Sequence, residues 1–132
     1  MSVKIADLMQ DNVLTLEKHH TVARARKLMS EHGISTLPVV GPEEELFGIV
    51  SKTDLLDESL KEATPISAIM TERVYAVPQY NDAHVAARVM RKHGVHHVVV
   101  THEKKVVGIL SSFDLLQLVE GHRFVMKPGA KP

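Results

Sequence analysis

The stretch Gly48-Ile49-Val50-Ser51-Lys52-Thr53-Asp54-Leu55-Leu56 decides the fold, because it occurs twice in the chain. It returns sixty residues later as Gly108-Ile109-Leu110-Ser111-Ser112-Phe113-Asp114-Leu115-Leu116. Upstream, Met29-Ser30-Glu31-His32-Gly33 matches Met90-Arg91-Lys92-His93-Gly94 with an offset of sixty-one. Such self-similarity indicates two copies of one supersecondary unit. Units of about sixty residues rarely bury enough apolar surface alone, so the copies should pack face to face as one domain.

Each copy shows the same pattern of predicted elements, in the order helix, strand, helix, strand, strand and helix, which is an α+β fold. We place the first repeat at residues 1–62 and the second at 63–121. Residues 122–132 are expected to form a flexible tail, because they have little to bury. The first repeat should contain a helix near 3–9, an extended segment over 13–16, a helix from Thr21 to Glu31 ended by Gly33, strands over 37–40 and 46–50, and a helix from Lys52 to about Leu60. The second should contain a helix starting at Thr64-Pro65, a strand around 74–77, a helix over 82–93, strands around Val98 and Val107, and a helix to Glu120.

Composition excludes several classes of function. Sixteen basic residues balance sixteen acidic ones, so no strong field attracts polyanions, which disfavours nucleic acid as the main partner. The absence of cysteine excludes a disulfide framework, a thiol nucleophile and a thiolate zinc site. No apolar leader opens the chain and no run approaches the roughly 18 apolar residues that span a bilayer, so no membrane partner is expected. We therefore expect a soluble, cytoplasmic protein.

The repeated Ser-x-x-Asp segment lies where a strand ends and a helix begins. Backbone N–H groups and the hydroxyls of Ser51 and Thr53 converge there, which suits an anion or a sugar. The carboxylate of Asp54 only accepts hydrogen bonds, so it matches the two donors of a ribose diol. The same spacing is equally typical of a capping box, in which Ser51 and Asp54 satisfy backbone N–H groups of a helix. The motif alone leaves both interpretations open.

Nine histidines raise the question of a metal site. Gly94 should separate His93 from His96 and His97, so no pair forms on one helical face as a zinc-binding helix requires, and no metal site is predicted. His96 and His97 can instead donate N–H groups to a phosphate. The alternative is that one faces solvent and the other caps a strand edge.

The helix over 82–93 has a wide apolar arc opposite a narrow basic arc that contains Arg88, Arg91 and Lys92. An arc this wide serves two contacts, so we expect one side to lie on the sheet and the other on a partner helix of a second copy. The alternative is a helix enclosed within the monomer. The chain has no phosphate-binding glycine loop, nucleophile elbow or zincin helix, so no catalytic residues are predicted.

With these motifs in duplicate, the chain resembles a pair of CBS (cystathionine β-synthase) domains, the tandem called a Bateman module, from Val3 to about Glu120. The resemblance rests on both Gly-Ile-Val/Leu-Ser-x-x-Asp motifs and on the preceding Gly-Ile-Ser-Thr-Leu-Pro-Val-Val and Gly-Val-His-His-Val-Val-Val segments. It implies two repeats with small three-stranded sheets packed with pseudo-twofold symmetry, a homodimer, and clefts between the repeats that bind adenosine derivatives.

The resemblance also implies the residues of two ligand sites. In the first, Asp54 would bind ribose. Phe113 replaces the hydroxyl of Thr53 in the second, and Val99 replaces Pro38, which weakens the expectation there. The first site would comprise Val13, Ser35, Thr36, Pro38, Ser51, Thr53 and Asp54, with His96 or His97 borrowed across the interface. The second would comprise Val74, His96, His97, Val98, Ser111 and Asp114.

The leading hypothesis is a stand-alone regulatory module. It would bind AMP, ADP, ATP or a related adenosyl ligand and transmit its occupancy to an unknown effector protein, with no obligatory cofactor and no enzyme activity. The alternatives are a structural dimerisation module with vestigial pockets, or a metal or nucleic-acid binder.

Overall fold

The computed structural model describes residues 3–120. This range contains five α-helical segments and five strands, and the predicted tail at 122–132 lies outside it. The helices are α1 (Ile5–Leu8), α2 (Val22–His32), α3 (Ala83–His93), α4 (Ser112–Leu115) and α5 (Gln117–Glu120), with single 3₁₀ turns at Thr53–Leu55 and Ile66–Ala68. The strands are β1 (Thr36–Val40), β2 (Leu46–Ser51), β3 (Ala76–Pro78), β4 (His97–His102) and β5 (Lys105–Ser111).

Each repeat builds one small sheet around an antiparallel hairpin. In the second repeat β3 runs parallel to β4, and β4 pairs with β5. In the first repeat β1 pairs with β2, while the expected strand over 13–16 is reduced to a parallel bridge between Leu16 and Val39. The strand expected around 74–77 lies at 76–78. The first sheet therefore has two strands rather than three.

The two long helices begin and end as the sequence predicts. The hydroxyl of Thr21 accepts a hydrogen bond from the Arg24 N–H at 3.3 Å and caps α2. Gly33 (φ 63°) and Gly94 (φ 64°) end α2 and α3 in the left-handed conformation, which glycine adopts without a steric cost.

The opening segments of the two repeats are exchanged. Ile5 of α1 packs in the core of the second repeat, while Ile66 packs in the core of the first. The backbone of Gln10 pairs with that of Ile109 through N–H···O bonds of 2.9 and 3.1 Å, and Thr71 pairs with Ile49 through two bonds of 2.9 Å. These equivalent contacts relate the repeats by a pseudo-twofold axis, so the boundary of the sequence repeat is not the boundary of the packing unit.

The glycine that opens each repeated motif permits this exchange. A Cβ on Gly48 would lie 2.8 Å from the carbonyl oxygen of Thr71, and one on Gly108 would lie 2.8 Å from that of Gln10. Real Cβ atoms do not approach backbone oxygen so closely. Glycine at these positions therefore lets the exchanged segment pair with the strand.

The closing helices are shorter than predicted. The helix expected from Lys52 to about Leu60 is wrong beyond the turn at 53–55, because Asp57 Oδ1 accepts hydrogen bonds from the N–H and hydroxyl of Ser59 and forms a side-chain turn instead. The second closing helix divides into α4 and α5. Pro65, expected at a first helical position, precedes a 3₁₀ turn instead.

The apolar arc of α3 is used within the monomer. Ala86 is 0% exposed, and Val85 and Val89 pack against the same core. Val85 and Val89 remain partly exposed, so the expectation that this side meets a partner helix stays a prediction. The basic arc is exposed. Within residues 3–120, no helix combines the length and apolarity that crossing a membrane requires.

Candidate functional site

One pocket surrounds the carboxylate of the first motif, and we call it the Asp54 pocket. It has a volume of about 400 Å³. A larger cavity of about 580 Å³ shares Ser35 and Lys52 with it but has no carboxylate in its lining. The Asp54 pocket is lined by Ser35, Thr36, Ile49, Ser51, Lys52, Thr53, Asp54, Thr71, Arg73, Val74, Tyr75, Val95, His96 and His97.

The Ser-x-x-Asp motif forms the capping box, and Asp54 still keeps an available oxygen. Asp54 Oδ2 accepts from the Ser51 N–H at 2.8 Å, and Ser51 Oγ accepts from the Asp54 N–H at 3.3 Å. Within residues 3–120, Asp54 Oδ1 accepts no hydrogen bond from the protein. The cap and the ligand interpretations are therefore compatible, because each uses a different oxygen.

Four basic side chains line the same pocket. His96 and His97 belong to the second repeat. Their position agrees with the expectation that the first site borrows one of them across the interface. Burial lowers the pKa of His97, nearby His96 lowers it further, and Asp114 opposes both. Lys52 and Arg73 were missed by the sequence analysis, although Arg73 directly precedes Val74, which was already a candidate. The pocket thus holds groups suited to an anionic ligand.

A second pocket surrounds the carboxylate of the second motif, and we call it the Asp114 pocket. Asp114 is 8% exposed, and its Oδ2 accepts from the Ser111 N–H at 2.8 Å in the equivalent capping box. Its Oδ1 accepts from Gln10 Nε2 at 3.2 Å. Phe113 is 77% exposed at the rim. The pocket has a volume of about 430 Å³ and is lined by Gln10, Gly33, Ile34, Ser35, Thr36, His96, His97, Ile109, Ser111, Ser112, Phe113 and Asp114.

The structure corrects the placement of some candidates. Val74 was assigned to the second site but lines the Asp54 pocket, because the exchanged segment 71–75 follows the bridge to Ile49. Val13 lines neither of these two pockets. It packs against the cluster of Val40, Val99 and Val106, which joins β1 to β4 and β5. Pro38 in β1 and Val98 in β4 are fully buried, and neither lines either pocket. The other candidates line the pockets to which they were assigned.

Three side chains that the sequence analysis did not group come together before α2. Ligand atoms of Glu17, His19 and His20 lie within 4.8 Å of one another. However, His20 Nδ1 accepts a hydrogen bond from the Glu17 N–H at 2.9 Å, so neutral His20 carries its proton on Nε2. Burial lowers the pKa of His20, as does nearby Arg24. Neither ring nitrogen of His20 then presents a free lone pair to a metal. His93, which the sequence analysis considered together with His96 and His97, stacks on Tyr75 with ring centroids 4.1 Å apart.

Comparisons with known proteins agree with the duplicated architecture. A family model described as "CBS domain" matches residues 5–61 and 66–121. A protein of Vibrio cholerae assigned to acetoin utilization, AcuB, is 30% identical, with 90% of this chain and 91% of that chain covered and a TM-score of 0.81. The CBS domain pair of protein MJ0100, solved with 5′-methylthioadenosine and S-adenosyl-L-methionine, is 25% identical, with coverages of 92% and 98% and a TM-score of 0.82.

Several curated relatives are much longer than this chain. The chain is 25% identical to homoserine O-acetyltransferase of Methanosalsum zhilinae over 92% of its own length but spans only 25% of that protein. It spans 15% to 44% of five further relatives. In these proteins, the region similar to this chain is therefore one part of a longer polypeptide.

Proposed function

Since the chain belongs to the CBS domain family, we propose that it is a regulatory module that binds an adenosine-containing ligand in the Asp54 pocket. The observation that carries the proposal is the available Oδ1 of Asp54 in a pocket lined by basic side chains. A carboxylate oxygen accepts from a ribose hydroxyl, whereas it would repel a phosphate. Ribose is therefore expected at Asp54 and phosphate at the basic groups.

The basic groups favour a phosphate-bearing ligand such as AMP, ADP or ATP. Lys52 and Arg73 supply cationic donors, and His96 and His97 add N–H donors. Hydrogen bonds from such cations to phosphate are roughly twice as strong as neutral ones. The ligands of MJ0100 support the adenosyl part, because 5′-methylthioadenosine and S-adenosyl-L-methionine share only that part with the nucleotides.

The proposed action is ligand binding that signals to another protein. No reaction of the ligand is proposed. The Asp54 pocket contains a carboxylate, cations and hydroxyls, but none of the nucleophile motifs sought in the sequence. Its walls come from both repeats, so a ligand would draw the repeats together and change their mutual arrangement. An effector protein that recognises this arrangement would receive the signal. The longer relatives carry such a region within one polypeptide, which supports a regulatory role.

Calorimetry and thermal shift with adenosine, AMP, ADP, ATP and S-adenosyl-L-methionine test the proposal, with GMP as the ligand control. AMP is expected to stabilise the protein and GMP to have less effect, because both ligands solved with MJ0100 carry adenine. Arg73→Gln should weaken AMP by about ten-fold and leave adenosine unchanged, because one charge-assisted bond to phosphate is lost. Arg91→Gln is the matched control, since Arg91 lies on the outer face of α3.

Other outcomes of the same panel would overturn the proposal. No shift with any ligand, from a protein that still scatters light as a dimer, would leave a structural dimerisation module. A shift with zinc alone would indicate a metal binder. Equal losses of AMP affinity in Arg73→Gln and Arg91→Gln would show that the nucleotide does not bind in the Asp54 pocket.

A further inference from the structure

We propose that Gln10 closes the Asp114 pocket to ribose, so that the chain binds one nucleotide and not two. This inference rests on the proposed function and names what makes the two pockets unequal. The side-chain amide of Gln10 occupies the carboxylate oxygen that a ribose would use, Oδ1 of Asp114, at 3.2 Å.

The chemistry of the contact identifies which end of the Gln10 amide faces Asp114. An ionised carboxylate only accepts hydrogen bonds, so the amide must present its nitrogen. The other oxygen of Asp114 already accepts from the Ser111 N–H at 2.8 Å. Both carboxylate oxygens therefore have protein partners, and the residue is 8% exposed. A ribose diol would have to displace the amide before it reached the carboxylate.

The Asp54 pocket shows the effect of a residue without a side-chain amide at the position equivalent to Gln10. Gln10 and Thr71 are equivalent in the repeat, and each pairs through its backbone with the strand of the opposite unit. Thr71 lines the Asp54 pocket, but its shorter side chain makes no hydrogen bond to Asp54. The two carboxylates have the same capping geometry, so the side chain at this one position accounts for the difference in available oxygens.

The distribution of basic side chains also favours binding in the Asp54 pocket over the Asp114 pocket. Lys52 and Arg73 line the Asp54 pocket, whereas the lining of the Asp114 pocket includes no lysine or arginine. His96 and His97 line both pockets, so a phosphate bound in the first would engage cations that the second also needs. The Asp114 pocket therefore has neither an available ribose acceptor nor a permanent cation of its own.

Calorimetric stoichiometry with AMP tests the role of Gln10 through a reciprocal exchange. The wild type should bind one AMP per chain, and Gln10→Thr should add a second site that is weaker than the first, because no lysine or arginine lines that pocket. Thr71→Gln should weaken the first site by about ten-fold, because its amide can now reach Asp54. Phe113→Thr is the control, since it restores the missing hydroxyl and leaves Gln10 in place.

A measurement without nucleotide tests the contact itself. The side-chain amide resonances of Gln10 should shift when Asp114 is replaced by Asn and stay unchanged in Asp54→Asn. Unaltered resonances in Asp114→Asn would overturn the inference whatever the nucleotide does. Wild type with two AMP sites, Gln10→Thr with one, or a second site created by Phe113→Thr would overturn it too. If no variant binds any nucleotide, the proposed function fails and this inference fails with it.

Discussion

Replacing Asp54 with asparagine separates its two roles. The amide oxygen of asparagine can still accept from the Ser51 N–H, which Asp54 Oδ2 accepts at 2.8 Å. The amide nitrogen then takes the place of Oδ1 and presents a donor to the donors of ribose. The capping box is retained, while the proposed ligand contact is lost.

The magnitudes of the two effects differ. A hydrogen bond to a charged group contributes roughly 1.5–3 kcal/mol, so losing one should weaken AMP by about ten-fold to one hundred-fold. Loss of a helix cap costs about 0.5–2 kcal/mol of unfolding free energy. Asp54→Asn should therefore lose affinity at nearly unchanged stability. Ser51→Ala, which removes the acceptor of the Asp54 N–H, should lose stability with a smaller change in affinity.

Calorimetry with AMP and denaturant unfolding measure the two effects in the same variants. Asp114→Asn is the matched control and should leave the affinity near that of the wild type, since Gln10 already occupies its oxygen. Wild-type affinity in Asp54→Asn would refute the reasoning. A loss of affinity in all three variants that follows their loss of stability would also refute it, because Asp54 would then act only as a cap.

Four further predictions concern pH, packing and assembly. Because burial lowers the pKa of His97 and a bound phosphate would favour its protonated form, AMP affinity should rise relative to adenosine as pH falls from about 8 to about 6.5, and His97→Gln should remove this difference in calorimetry. Gly48→Ala should destabilise the fold by about 1–3 kcal/mol in urea unfolding, since the new Cβ meets the Thr71 carbonyl; an unchanged midpoint would contradict the close approach. Ala86→Glu should lower the melting temperature and not merely dissociate a dimer, because Ala86 is buried in the monomer. Light scattering of the wild type should give twice 14.7 kDa, and a concentration-independent monomer would refute the dimer.

Features encoded in local sequence could be predicted. The repeated motif indicated the duplication, and Gly33 and Gly94 end their helices because a left-handed cap depends on one residue. The capping box was recognised from its spacing, and its second, free oxygen is what allowed both interpretations to hold. The borrowing of His96 or His97 by the first site was implied by the family resemblance, and both histidines do line the pocket with Ser35 and Thr36.

Features that depend on which repeat a given segment packs against could not be predicted. The internal repeat makes Val13 and Val74 equivalent, and nothing in the sequence says that Val74 lines the pocket of the opposite repeat. The pairing of Gln10 with Asp114 spans the whole chain, so no local spacing reveals it. The helix predicted after Lys52 failed for a local reason, because the turn at Asp57 outweighs helix propensity.

The exchanged opening segments set an order in which the chain can fold as it is synthesised. The core of the first unit is complete once residues 66–70 have been made, since its other members lie between residues 14 and 60. Helix α1 is made before any of that unit, yet its partners Val98 and Leu110 are made last. On the ribosome, the core around α1 is therefore complete only about one hundred residues after α1 is made, which at 5–20 residues per second is roughly 5–20 seconds. Helix α1 is thus made before the first unit but completes its packing after that unit has folded.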